Sequence, residues 1–104
     1  MDTLSQVYQL QQTDTFATWL SELRDKKAKA RIIARLDSAG LGNLGDCKSV
    51  GGRIREMRVH VGPGYRVYFV QREKIVLLLL CGGSKSGQRR DIERAKRLLK
   101  EIEE

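Results

Sequence analysis

The fold is decided by residues 56–92, which read EMRVHVGPGYRVYFVQREKIVLLLLCGGSKSGQRRDI. The segments 53–61 and 65–71 alternate apolar and polar side chains, which is the pattern of strands with one buried face. Between them, the Gly-Pro-Gly sequence of residues 62–64 predicts a hairpin turn. The next segment, 75–81, is apolar on both faces and predicts a central strand that is covered on each side. A Gly-rich loop and a basic helix follow.

Helical patterns lie on both sides of these strands in the sequence. The elements predicted around them are a strand over residues 4–11, a helix capped by residues 13–15, a second helix that follows Asp25, a short strand over residues 47–50 and a last helix from about 86 to 103. The apolar stripes expected to be buried are Phe16, Trp19, Leu20 and Leu23 in the first helix, Ala28, Ile32, Ile33, Leu36 and Ala39 in the second, and Ile92, Ala95, Leu99 and Ile102 in the last. The order β-α-α-β-β-β-β-α predicts an α+β fold. Its antiparallel or mixed sheet of four to five strands is packed by an N-terminal helical hairpin and a C-terminal helix.

Length and charge narrow the function classes. A chain of 104 residues predicts a single domain over 1–104. Twenty Lys and Arg against 13 Asp and Glu give a net charge of +7, which favours a polyanionic partner such as nucleic acid. Cys47 and Cys81 are far apart and read as free thiols in a reducing compartment. There is no signal-peptide pattern and no apolar run long enough to span a bilayer, so a cytoplasmic protein without a membrane partner is expected.

The residues that suit chemistry lie on the polar faces of two strands. Glu56, Arg58 and His60 alternate along one strand, and Arg66 and Tyr68 along the next, on a face expected to be shared. The loop that carries Lys85 leaves the adjacent strand and is expected to overhang this face. The alternative is an ordinary solvated face with a surface salt bridge and an idle histidine.

This set of side chains suits cleavage of RNA by its own 2′-hydroxyl, which needs no metal or cofactor. Cations aimed at the phosphate stabilise the charge that develops there, which is the role expected of Arg66 and Lys85. Arg58 is expected to position the RNA backbone, and Glu56 or His60 to act as the base. Further contacts with nucleic acid are expected from Arg55, Tyr68, Gln88, Arg89 and Arg90. The loop at 82–87 lacks the Walker pattern, so a nucleotide-triphosphate site is not expected.

The same motifs resemble those of the RelE/HigB-like toxins of bacterial toxin–antitoxin modules. The segments that carry the resemblance are residues 55–58 (REMR), 62–69 (GPGYRVYF) and 81–88 (CGGSKSGQ), with Asp91-Ile92 after them, and the phage-derived "addiction module killer protein" branch is the most similar. The resemblance implies a RelE-like fold and a toxin that cuts mRNA at the ribosome and so arrests growth. It also implies a small helix-turn-helix antitoxin as partner. The basic positions of the family match Arg58, Arg66 and Lys85, but the aromatic residue that many members carry in the last helix is missing.

Two other functions fit the same pattern. ParE-like toxins resemble this fold and block DNA gyrase without catalysis. A basic nucleic-acid-binding module without catalysis is the third possibility, and salt-dependent binding without cleavage would identify it.

Overall fold

A computed structural model, which describes residues 8–103, contains one sheet and three α-helices. Its elements are β1 (Gln9–Gln12), α1 (Asp14–Glu22), α2 (Lys26–Gly40), β2 (Cys47–Gly51), β3 (Ile54–Val59), β4 (Tyr65–Glu73), β5 (Val76–Ser84), a short 3₁₀ turn (Lys85–Gly87) and α3 (Gln88–Glu103). The strands lie in the order β1-β5-β4-β3-β2. β1 runs parallel to β5, and every other neighbouring pair is antiparallel. The α+β class and the predicted order of elements are therefore confirmed, with a mixed sheet of five strands.

One face of the sheet packs against α1 and α2. Met57 and Val59 of β3 and Val67 and Phe69 of β4 are buried in this layer, together with the apolar stripes of both helices. Burial of this layer follows from the strand period of two, because side chains at alternate positions all face the helices. The predicted helical stripes are confirmed, except that Ile33 remains 42% exposed.

The other face of the sheet packs against α3. Ile54, Val70 and Leu80 form this second core layer with Ala95 of the helix. β5 has helices over both faces, which is why its sequence is apolar throughout. The pairing of β4 with β5 passes from Tyr68–Cys81 to Phe69–Leu79 and skips Leu80. This bulge lets both Leu80 and Cys81 bury on the α3 side.

Some predicted boundaries are wrong. The first strand ends at Gln12 rather than at residue 11, and positions 4–7 of its predicted range lie outside the described residues. β5 continues through residues 82–84, which were expected in a loop, because Ser84 pairs with Tyr65 at the start of β4. The predicted apolar stripe of α3 is weaker at its end, where Ile102 is 38% exposed.

Candidate functional site: a carboxylate between two arginines

The polar faces of β3 and β4 lie on the same side of the sheet, as predicted. Glu56 is the cross-strand partner of Tyr68, and Arg58 is the partner of Arg66. Cross-strand partners have their side chains within contact distance on one face. This is the α3 face. The helix begins at Gln88 and covers only part of it.

Glu56 lies at the centre of this group, and its side chain is fully buried. One carboxylate oxygen, Oε1, lies 3.4 Å from Nε of Arg58, and the other, Oε2, lies 3.6 Å from Nη1 of Arg66. Gln88 donates a hydrogen bond of 2.7 Å from Nε2 to Oε2. Two strands and the first turn of α3 thus converge on one buried carboxylate, and this group of four residues is called the Glu56 cluster below.

Several polar atoms of the cluster region have no hydrogen-bond partner among the described residues. They are Oε1 of Glu56, Nε of Arg58, Nη1 of Arg66 and the hydroxyl of Tyr68. The two arginine contacts are ion pairs at distances too long for good hydrogen bonds. Buried polar groups are normally hydrogen-bonded, so each of these exceptions calls for an explanation, of which a bound ligand, ion or water is one.

Tyr68 lies beneath the cluster and stays protonated. Burial, and the negative charges of Glu56 and Asp91, raise the pKa of the Tyr68 hydroxyl far above its ordinary value of 10. The side chain has no exposed surface. We therefore correct the expectation that Tyr68 contacts nucleic acid directly, because its side chain is buried in the core layer between the sheet and α3.

The two arginines are the accessible part of the cluster. The side chain of Arg58 is 30% exposed and that of Arg66 is 13% exposed, whereas Glu56 is shielded beneath them. An approaching ligand therefore meets two guanidinium groups before it meets the carboxylate. This arrangement suits an anion.

His60 lies just beyond the end of β3 and forms a pair that the sequence did not reveal. Its Nε2 lies 2.7 Å from Oδ2 of Asp46, and both side chains are exposed. The hydrogen bond from His60 is the main reason why the pKa of Asp46 lies below its ordinary value of 3.8. Asp46 immediately precedes β2, and its carbonyl accepts a hydrogen bond from the backbone N–H of Arg58. Asp46 and His60 meet because of the register of β2 with β3. A prediction of this register was therefore needed to find the pair from the sequence.

Lys85 is exposed in the 3₁₀ turn, close to the hairpin turn between β3 and β4. Its backbone N–H donates to the carbonyl of Gly64 at 2.9 Å. A shallow cleft of about 390 Å³ is lined by Lys85, His60 and residues 61–64. Arg58 and Arg66 therefore meet at the Glu56 cluster, and Lys85 lines the cleft with His60 at the same end of the sheet.

The other predicted contact residues are divided between surfaces. Gln88 belongs to the Glu56 cluster, and Arg89 and Arg90 are exposed at the start of α3. Arg55 lies on the opposite face of the sheet, with its guanidinium 5.5 Å from the centre of the Phe69 ring. Strand alternation therefore points Arg55 towards the helical hairpin side, away from Arg58 and Arg66, so the nucleic-acid contact expected of Arg55 would belong to a different surface.

Arg35 of α2 is a further residue whose role the sequence did not reveal. Its guanidinium donates hydrogen bonds to the carbonyl oxygens of Arg58 and Leu44. Gly45 has a φ of +68°, and the guanidinium packs where a side chain at this position would begin. Arg35 thus fixes the segment that leads to Asp46 against β3.

Two possible features are not found within residues 8–103. No group of three His, Cys, Asp or Glu side chains in this part of the chain is arranged to bind a metal ion. None of its helices combines the length and hydropathy needed to cross a membrane.

Comparisons with known proteins relate this chain to a fold and a family. No family model matches the chain. The crystal structure of the archaeal RelE–RelB complex from Pyrococcus horikoshii OT3 contains a chain with a TM-score of 0.56 and 17% sequence identity, and the match covers 76% of this chain and 96% of that one. The architecture described above is therefore RelE-like. A Haemophilus influenzae (strain ATCC 51907 / DSM 11121 / KW20 / Rd) protein, described as an uncharacterized protein, is 47% identical over 94 residues, which are 90% of this chain and 95% of the relative. The chain belongs to the same family as this Haemophilus influenzae protein.

Proposed function

We propose that this protein is the toxin of a type II toxin–antitoxin module and acts as an endoribonuclease that cuts mRNA at the ribosome. The RelE-like fold supports the toxin assignment. The observation that carries the enzymatic part is the pair Arg58 and Arg66, which are held on one open sheet face by the buried carboxylate of Glu56. Both arginine side chains keep part of their surface exposed, and Arg58 Nε and Arg66 Nη1 have no hydrogen-bond partner among the described residues, which supports a role in binding an anion.

The reaction that fits is attack of an RNA 2′-hydroxyl oxygen on the adjacent phosphorus. The O–P bond to the 5′-oxygen breaks, and the products are a 2′,3′-cyclic phosphate and a 5′-hydroxyl end. Arg66 and Arg58 stabilise the charge on the phosphate oxygens as the new bond forms. Glu56 holds these arginines and does not serve as the base, because it is fully buried.

The cleft beside the cluster supplies groups for proton transfer. Asp46 accepts a hydrogen bond from Nε2 of His60, which orients the ring and leaves Nδ1 free to take the proton of the 2′-hydroxyl. Lys85 lines the same cleft, which supports the proposal that it protonates the leaving 5′-oxygen. No metal ion has a role in this scheme.

The partners follow from the same proposal. The RelE-like neighbour was solved as a RelE–RelB complex, so we propose a small antitoxin, with a helix-turn-helix DNA-binding fold, that binds and silences this chain. The exposed cations Arg89 and Arg90 of α3 extend the basic surface towards mRNA or ribosomal RNA. The site of action would be the cytoplasm.

Cleavage of mRNA in a purified translation system tests the proposal. The wild-type protein should cut mRNA, and Arg66→Ala should reduce the rate by about 10²–10³-fold, the usual effect of removing one stabilising donor. Lys85→Ala should also slow the reaction. Arg72→Ala is the matched control, because Arg72 is an exposed arginine on β4 about 20 Å along the strand from Arg66.

The alternative functions give different results when the protein is induced in cells or mixed with purified RNA. DNA damage on induction, without RNA cuts, would indicate a ParE-like gyrase inhibitor. Salt-dependent binding of RNA without cuts would indicate a non-catalytic binding module. Equal cleavage by the wild type and Arg66→Ala would contradict the proposed site.

A further inference from the structure

A second pocket lies at the end of β5, beside the Glu56 cluster. It has a volume of about 340 Å³ and is lined by Trp19, Gly82, Gly83, Ser84, Arg90, Asp91 and Arg94. Gly83 is the cross-strand partner of Arg66. The pocket is therefore one strand over from the arginines that are proposed to hold the scissile phosphate, a spacing of about 5 Å.

Asp91 is the unusual member of this pocket. The residue is only 5% exposed, and its carboxylate forms no hydrogen bond or salt bridge with any residue in the range 8–103. It fits because Gly83 and Gly87 have no side chains, and a Cβ at Gly83 would overlap the carboxylate. Burial raises the pKa of Asp91, although Arg90 and Arg94 oppose the shift. The donors that line the pocket do not bond to this nearly buried carboxylate, so its oxygens remain available as acceptors for a ligand.

The rest of the pocket lining consists of the Trp19 ring and the outer backbone edge of β5. The Trp19 ring packs directly on the backbone of Gly82, where any side chain would overlap it. β1 stops pairing with β5 at Leu79, so no strand within residues 8–103 covers the outer edge of β5 at positions 82–84. The pocket thus combines an aromatic wall, unpaired backbone groups, two arginines and a carboxylate.

We propose that this pocket binds a base of the RNA next to the cut, with a preference for guanine; this inference rests on the proposed function. Bases of single-stranded RNA are read through their hydrogen-bonding edges and by packing on aromatic side chains. Guanine presents two adjacent N–H donors on its Watson–Crick edge, which match the two oxygens of one carboxylate. Arg90 and Arg94 flank Asp91 and meet the neighbouring phosphate.

An extended peptide is the competing occupant, since open strand edges also bind peptides. The free edge here spans only residues 82–84, which is short for strand addition. A buried carboxylate beside two arginines and an indole fits the donors, phosphate and ring of a nucleotide better than it fits a peptide backbone. The nucleotide is therefore the occupant that we favour.

The fluorescence of Trp19 reports on the pocket directly, because it is the only tryptophan of the chain. Guanosine 5′-monophosphate and uridine 5′-monophosphate are titrated into the whole protein. Two hydrogen bonds to a charged acceptor predict binding of the guanine nucleotide about tenfold tighter or more. Asp91→Asn should abolish this preference. Glu93→Gln, which removes an exposed carboxylate two residues along α3, should retain it, and melting curves verify that both variants fold.

The outcomes separate this site from the proposed reaction. Loss of guanine preference in Asp91→Asn supports the site even if the wild type cuts no RNA, a result that would overturn only the proposed function. Equal binding of both nucleotides by the wild type, or an unchanged preference in Asp91→Asn, would overturn the site even if mRNA is cut. A change in Trp19 fluorescence with peptides but with neither nucleotide would also overturn it.

Discussion

Replacement of Glu56 by glutamine tests whether the buried carboxylate holds the two arginines. The side chain keeps its size and its contact with Gln88, but both guanidinium groups lose the opposite charge 3.4 and 3.6 Å away. Removing one partner of a fully buried ion pair costs about 3–5 kcal/mol. Arg58 is 30% exposed and Arg66 is 13% exposed, so water offsets part of the loss. We therefore expect the free energy of unfolding to fall by about 3 kcal/mol, near the lower end of that range.

Urea unfolding followed by circular dichroism measures this change. For a domain of this size, a loss of about 3 kcal/mol corresponds to a fall in Tm of roughly 12–24 °C. Glu93→Gln is the matched control, and the free energy should change by no more than about 0.5 kcal/mol because its carboxylate is exposed. In a double-mutant cycle, the variant that carries both Glu56→Gln and Arg66→Gln should lose less unfolding free energy than the sum of the losses in the two single variants. Unfolding of Glu56→Gln at the wild-type free energy would refute the idea that this carboxylate organises the cluster.

Three further predictions concern glycine packing, a buried acid and the histidine pair. Gly83→Ala should destabilise the protein by about 1–3 kcal/mol in urea unfolding, because the new Cβ overlaps the Asp91 carboxylate, whereas Gly40→Ala meets only ordinary contacts and should have little effect. Asp91→Asn should be more stable than the wild type at neutral pH, because the raised pKa of Asp91 means that ionisation of its carboxyl opposes folding. Melting curves should show that this difference vanishes as the pH falls below 3.8, the ordinary pKa of the group, where the carboxyl is protonated in both states. His60→Gln should leave the Tm unchanged, because the pair with Asp46 is exposed, yet slow RNA cleavage at least about tenfold; a fall in Tm without a fall in rate would assign the pair to stability alone.

Residues whose position depends on strand period were predictable from the sequence. Glu56 and Arg58 alternate with buried Met57 and Val59, so their shared face follows from the two-residue repeat. Arg66 was expected on the same face, and the register of β3 with β4 makes it the direct cross-strand partner of Arg58. The sequence therefore predicted that the two arginines meet.

Residues whose position depends on contacts between distant segments were not predictable. Asp46 meets His60 only through the register of β2 with β3, which a Gly-rich connection does not specify. The two hydrogen bonds of Arg35 reach carbonyl groups 23 and nine residues away. Asp91 is a charged residue at the start of a basic helix, and only the packing of α3 against Gly83 buries it. Tyr68 was expected at the surface. The strand period shows which face of the sheet a side chain is on, but it does not show how much of that face α3 covers.

The central claim is that Arg66, held by Glu56, stabilises an RNA phosphate under attack by its own 2′-hydroxyl. The direct measurement is analysis of the RNA ends that the protein produces on translating ribosomes. The ribosomes keep their magnesium during the reaction, and EDTA is added only after cleavage. A second mRNA carries a 2′-deoxynucleotide at the mapped cut. We predict 2′,3′-cyclic phosphate ends from the wild type, no cut at the 2′-deoxy position, and loss of about 10²–10³-fold in rate for Arg66→Ala. Cleavage at the 2′-deoxy position, or cleavage by Arg66→Ala at the wild-type rate, would contradict the account.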